Sequence, residues 1–258
     1  MRINRFILAV SCCIWVNAAQ AEQKTEQITL TLQDYPPYMG ESLPHKGLLT
    51  RLVVAAFEQK DIAVKLESVP NKRAIDGVRQ GIYQGGFGWA KNAEREKDLI
   101  YSDPVLSLSM VFCQQKGREI KWKKLEDLAS YKIGVTAGNF YSDDFDKLSK
   151  SGLLQVDVSN SDVSNFKKLS AGYIDLLPID IEVGPYVIAK NLTAADQNKI
   201  VCQSQAYWSA PLHVVFDRKN PNSPRWAKTF NDGLRILSDT GLASKMLEAT
   251  RREINRSN

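Results

Sequence analysis

The feature that most constrains this chain is a strand–helix alternation that runs through it twice. Residues 27–33 alternate, with Ile28, Leu30 and Leu32 set against Thr29, Thr31 and Gln33, which is the period of a half-buried strand. Gly47 then opens a helical stripe of Leu48, Leu49, Leu52, Val53, Ala56 and Phe57. Ile62, Val64 and Leu66 alternate again, a second helix runs to about Gly81, and Gly85-Gly86-Phe87-Gly88 forms a third strand. A long extended run over 105–114 follows, and the pattern restarts at Lys132-Ile133-Gly134-Val135. Its second course holds a helix with Phe145 and Leu148, a strand over 153–158, and a helix of Val163, Phe166 and Leu169 capped by Asp162. The apolar strand Leu176-Leu177-Pro178-Ile179 then ends at Asp180, followed by a helix over 183–189 and a strand over 199–203. Such an order predicts an α/β fold with mostly parallel sheets flanked by helices.

No Pro/Gly/Ser linker separates the two courses, and the segments that join them read as strands. Two lobes connected by two strand-like hinges are therefore expected. The first lobe takes residues 22–108, the second 109–211, and residues 212–258 return to the first with two helices. Trp226, Phe230, Leu234 and Leu237 line one face of the earlier helix, and Leu242, Met246 and Leu247 mark the later one.

The first 21 residues read as an export signal: Arg2 and Arg5, then an apolar run from Phe6 to Val16, then Ala19-Gln20-Ala21 as a small-x-small cleavage site. The run is too short to anchor in a bilayer. A periplasmic protein beginning at Glu22 is expected. Cleavage would remove Cys12 and Cys13 and leave Cys113 and Cys202, which in an oxidising compartment either pair or stay as buried thiols. Both lie in extended segments flanking the second lobe, so a disulfide between neighbouring strands is the pairing to test. With only His45 and His213 beside them, the cysteines show no metal-ligand spacing, and no cofactor motif is present. Net charge is +5, or near +3 without Arg2 and Arg5, too weak and scattered to argue for nucleic acid.

The stretch Gly88-Trp89-Ala90 leading to Arg95 places an arginine just past a glycine-rich strand end. A guanidinium fork there could hold a carboxylate through two parallel hydrogen bonds, or simply lie in solvent. Tyr35 and Tyr38, on the loop Asp34-Tyr35-Pro36-Pro37-Tyr38, could stack on a ligand or pack as rim residues. Trp89 suits a cleft floor or the core. Phe140 and Tyr141, at a helix start after Gly138, could face a ligand, and at least one of them is expected to pack; Trp208 reads as structural, and His213 reads as a buried, satisfied imidazole.

In order and spacing these segments resemble the extracellular family 3 solute-binding proteins, the periplasmic components of polar amino-acid ABC transporters. The markers are Tyr35-Pro36-Pro37-Tyr38, the Gly47 helix, Val69-Pro70 before Lys72-Arg73-Ala74, and Glu94-Arg95 before Tyr101-Ser102-Asp103-Pro104. Leu125-Glu126-Asp127-Leu128 before residue 132, Gly138, and Gly172-Tyr173-Ile174-Asp175 ahead of Asp180 complete them. The resemblance covers nearly the whole chain after residue 21. It implies a type II periplasmic-binding-protein fold that closes as a monomer over a small ligand. It further implies that Arg95 grips an α-carboxylate, Asp180 takes an α-ammonium from the other lobe, and Tyr35 stacks on the ligand side chain. Backbone near Gly88 and Ala90, and the helix start at Gly138 and Asn139, would complete the polar cage. The chain departs from the family pattern at Ala90 and Asn92, where Ser or Thr is common, at Asn71 in place of an aromatic, and at Gln84 in place of Asp.

Three functions fit that resemblance: a binder that delivers an amino acid or related carboxylate to a permease, a sensing module for a membrane receptor, or a dehydratase of cyclohexadienyl acids. No Ser/His/Asp set, zinc motif or phosphate loop appears, so a non-enzymatic binder is the expectation. A dehydratase would need a cleft acid with a raised pKa.

Overall fold

A computed structural model describes residues 26–137 and 139–256. The expected export signal and Gly138 lie outside the described residues. The strands are β1 (Glu26–Leu32), β2 (Ile62–Ser68), β3 (Gly85–Trp89), β4 (Leu99–Tyr101), β5 (Leu106–Gln115), β6 (Lys132–Thr136), β7 (Gln155–Ser159), β8 (Leu176–Asp180), β9 (Ile200–Cys202) and β10 (Trp208–Asp217). The helices are α1 (Leu48–Glu58), α2 (Asn71–Arg79), α3 (Asp143–Lys150), α4 (Asp162–Ala171), α5 (Val183–Asn191), α6 (Ala194–Gln197), α7 (Ser223–Asp239) and α8 (Leu242–Arg256).

The strands run in the order β2-β1-β3-β10-β5-β8-β6-β7, with β4 on β10 and β9 on β5. In the first half, β1 pairs in parallel with β2 and β3. In the second, β6 lies parallel to β7 and β8. Two long strands belong to both. β10 pairs with β5 over Trp208–Leu212, then with β3 and β4 from His213 onward, with a register shift between His213 and Val214. β5 pairs with β10 up to Met110 and with β8 from there on.

Local chemistry explains the element ends. Ser142 accepts a hydrogen bond from Phe145 N at 3.0 Å and caps α3. The cap of α4 is Ser161, which accepts from Ser164 N, and not Asp162, which is the first helical residue. Both residues suit a cap, and only the backbone decides which one takes it. Gly172 ends the same helix at φ 78°. Pro178 sits inside a fully buried strand, where the missing N–H would normally be costly. It is tolerated because the β6–β8 ladder reaches only Leu176.

One apolar core runs from α1, β1 and α7 into the β5–β8 region. The C-terminal helices pack back onto α1. Phe57 meets Phe230 at 5.3 Å between ring centroids, and a Cβ at Gly233 would lie 1.8 Å from Ala56 O. In the second half Cys113 and Cys202, cross-strand neighbours in β5 and β9, are joined by a disulfide. No helix among the described residues is long and apolar enough to cross a membrane.

Candidate ligand site

A cavity of about 190 Å³ lies where the two halves meet. Its walls follow the carboxyl ends of parallel strands, the usual ligand position in open α/β sheets. From the first half come Gln33, Asp34 and Tyr35 after β1, Met39, then Gly88, Trp89, Ala90 and Arg95 at and after β3. The second half contributes Asn139, Phe140 and Tyr141 after β6, with Pro178 and Ile179 of β8. Leu108 and Met110 of β5, with Trp208 and Leu212 of β10, close it where the strands cross.

Arg95 is set in place by its own loop. Its backbone N–H donates to Asn92 Oδ1 at 2.8 Å, and its Nη1 donates to Ala90 O at 3.2 Å. The guanidinium lies 4.9 Å from the centroid of the Trp89 ring, a cation–π stack. Trp89 is buried against Ala74, Val78 and Leu99, so the stack rests on core. Gly88 holds φ 83°, and a side chain there would strike Met39 Cε, so this strand end requires glycine. The neighbouring Glu94 turns to Arg79 at 3.4 Å. Among the described residues no carboxylate lies within 4.0 Å of the Arg95 guanidinium. Burial lowers its pKa, yet an arginine stays protonated at neutral pH. The result is a half-buried cation with unspent donors that opens onto the cavity.

The expected ammonium partner lies elsewhere. Asp180 is 0% exposed and does not line the cavity. Its Oδ1 accepts from Tyr38 Oη (3.0 Å), Glu182 N (2.9 Å) and Val183 N (3.2 Å), and its Oδ2 accepts from Ser109 N (2.8 Å). Burial pushes its pKa up, while these hydrogen bonds pull it down. Asp180 thus binds the start of α5 to β5 and to the first half through Tyr38. Tyr38 is correspondingly buried behind Tyr35, with ring centroids 5.9 Å apart and planes 12° apart. In this structure neither residue lines the cavity, and both have their side-chain oxygens hydrogen-bonded within the protein.

Tyr35, Gly88, Trp89, Ala90, Arg95, Asn139 and Phe140 do line the cavity, and Gly138 lies outside the described residues. Phe140 is 45% exposed and meets Trp208 edge-on at 5.5 Å. Tyr141 is buried, and its hydroxyl accepts from Thr136 N at 2.6 Å. Trp208, read from sequence as structural, is a wall residue. Sequence reading did not select Gln33, Asp34, Met39, Leu108, Met110, Pro178, Ile179 or Leu212. For Gln33 and Asp34 the available signal was their place just after β1; the others are apolar residues, mostly within strands, which periodicity assigns to the core.

No family model matches the chain, and no curated protein matches it in sequence. Solved structures match it in fold. An ancestral arginine-binding protein bound to arginine is 20% identical with a TM-score of 0.68, covering 86% of this chain and 97% of its own. A histidine kinase sensor domain with similarity to periplasmic binding proteins is 17% identical at 0.69, covering 86% and 94%. An ancestral amino-acid-binding protein described as a precursor of cyclohexadienyl dehydratase is 19% identical at 0.65, also covering 86% and 94%. The fold is that of the two-lobed periplasmic binding proteins.

Proposed function

We propose that the chain is an exported solute-binding protein that closes two lobes over a small carboxylate-bearing ligand, with Arg95 as the carboxylate anchor. The observation that carries this is Arg95 itself, a half-buried guanidinium in the cavity between the halves with no carboxylate within 4.0 Å among the described residues. A carboxylate would complete its fork and neutralise it. The lobes are residues 22–108 with 212–258, and residues 109–211. β5 and β10, which pair in both halves, are the segments about which they pivot. The Cys113–Cys202 disulfide fits an oxidising compartment and so fits export with cleavage after Ala21. Solved structures of this fold include amino-acid-binding proteins and a sensor domain, so delivery to an ABC permease and signalling to a membrane receptor are the two uses of the bound state. Binding is favoured over dehydration because the most deeply held acid beside the cleft, Asp180, accepts four hydrogen bonds and has no open path to a substrate.

A thermal-shift screen of the protein against amino acids and small carboxylates tests the reading. A ligand at about 100 times its Kd stabilises by roughly 2.7 kcal/mol. The same ligand should leave Arg95→Ala unshifted. A ligand that shifts both proteins equally would place its site away from Arg95.

A further inference from the structure

We infer that the ligand is a small aromatic carboxylate without an ammonium group, a free organic acid rather than an amino acid. The inference rests on the cleft reading above and names the ligand class for that site.

A zwitterion needs an acceptor for its ammonium as well as a donor for its carboxylate, and a buried ammonium without one is strongly disfavoured. The donor is present at Arg95. A buried charged acceptor is not, among the described residues: Gln33, whose Nε2 donates to Phe87 O, and Asn139 offer only neutral amide oxygens. Asp180 is sealed behind the wall, with Ser109, Glu182, Val183 and Tyr38 as its donors. Asp162 lies behind Thr136, whose hydroxyl donates to it at 2.5 Å while accepting from Asn165 Nδ2 at 3.0 Å. Ala90 offers no hydroxyl, and its carbonyl already accepts from Arg95. Among the described residues the single lining carboxylate is Asp34, exposed at the mouth, where water competes for any cation.

Beyond Arg95, Asp34, Gln33 and Asn139, the lining side chains are largely apolar, and five of them are aromatic. Tyr35 and Trp89 on one side, and Phe140, Tyr141 and Trp208 on the other, offer ring faces and edges, and Met110 fills between them. The cavity volume equals about six waters at roughly 30 Å³ each. That is the scale of one aromatic ring with a short acid arm. The acid would take the Arg95 fork, and the ring would lie among the aromatic walls.

Calorimetric titration of the purified protein, unfolded and refolded to strip carried ligand, decides it. The probes are 3-phenylpropanoate against L-phenylalanine and indole-3-propanoate against L-tryptophan, with L-arginine and L-glutamate as non-aromatic amino acids. The expected result is that at least one free acid binds at least about tenfold more tightly than its amino-acid partner, equivalent to about 1.4 kcal/mol. That affinity should vanish in Arg95→Ala and stay within about twofold in Asp180→Asn, since each tenfold step needs about 1.4 kcal/mol of contact. An amino acid binding as tightly as its matched acid, or L-arginine or L-glutamate binding where neither acid does, overturns the inference and leaves the binding-protein reading standing. No heat from any of the six probes overturns the inference. If Arg95→Ala then also matches the parent protein against a wider screen of small acids, the cleft reading falls with it.

Discussion

Arg95 in the first half and Asp180 in the second are the arginine and the acid that the sequence offers as a matched pair, and the structure treats them oppositely. Arg95 stands half-buried on Trp89, and among the described residues its side chain makes one hydrogen bond and meets no carboxylate within 4.0 Å. Asp180 is fully buried with four donors directed at it. A charged side chain is free for a ligand when the protein has left its hydrogen-bonding capacity unspent, and only one of this pair meets that condition.

The sharpest way to break the contrast is Arg95→Ala. Truncating one partner of a desolvated charge pair costs about 2–5 kcal/mol of affinity, so calorimetry should find ligand binding reduced by at least about thirtyfold. The urea midpoint should stay nearly that of the parent protein, because no structural acid loses a partner. Next in size is the disulfide that braces the second half alone. The Cys113→Ala/Cys202→Ala variant opens a link spanning 89 residues and should lose about 2–4 kcal/mol in urea unfolding. An equal drop on adding reductant to the parent protein would confirm that the bond, not the side-chain volume, is responsible.

Asp180→Asn tests the other side of the comparison. An amide nitrogen must face at least one of the four donors, which should cost about 1–3 kcal/mol of stability. The pattern reverses that of Arg95: the urea midpoint falls and the affinity holds. A variant that keeps its stability but loses affinity would return Asp180 to the site. Tyr38→Phe removes one hydrogen bond between the halves and should cost about 1 kcal/mol. Increased proteolysis within β5 or β10 would accompany it if that bond restrains the crossing strands.

The smallest effect concerns pH. His213 sits in β10 opposite Trp89, its Nδ1 2.8 Å from Ser102 O, and burial lowers its pKa below the ordinary 6.5. Above about pH 6.5 the imidazole is neutral in both states and its contribution is intact. As pH falls below that value the unfolded chain takes up a proton that the folded chain refuses, so stability declines toward the lowered folded pKa. Urea midpoints at pH 7.5 and 5.5 should therefore differ less in His213→Gln than in the parent protein. Equal differences would remove His213 as the source.

The alternation of Ile28, Leu30 and Leu32, the α1 stripe and the Leu176–Ile179 run determine the α/β fold in outline, because burial of one face imposes its period on the sequence. Gly88-Trp89-Ala90 and Arg95 were legible as a strand end followed by a cation. Three things were decided only by the tertiary structure. Whether Cys113 and Cys202 pair depends on β5 and β9 becoming neighbours across 89 residues. Whether Trp208 and Ile179 are wall or core depends on where the two halves leave a gap. Whether Asp180 waits for a ligand or serves the fold depends on Ser109 and Tyr38, 71 and 142 positions away, arriving with donors aimed at it. Periodicity is a local property and is written in the chain. The saturation of a hydrogen-bonding group is a property of everything around it, and it exists only once the chain has folded.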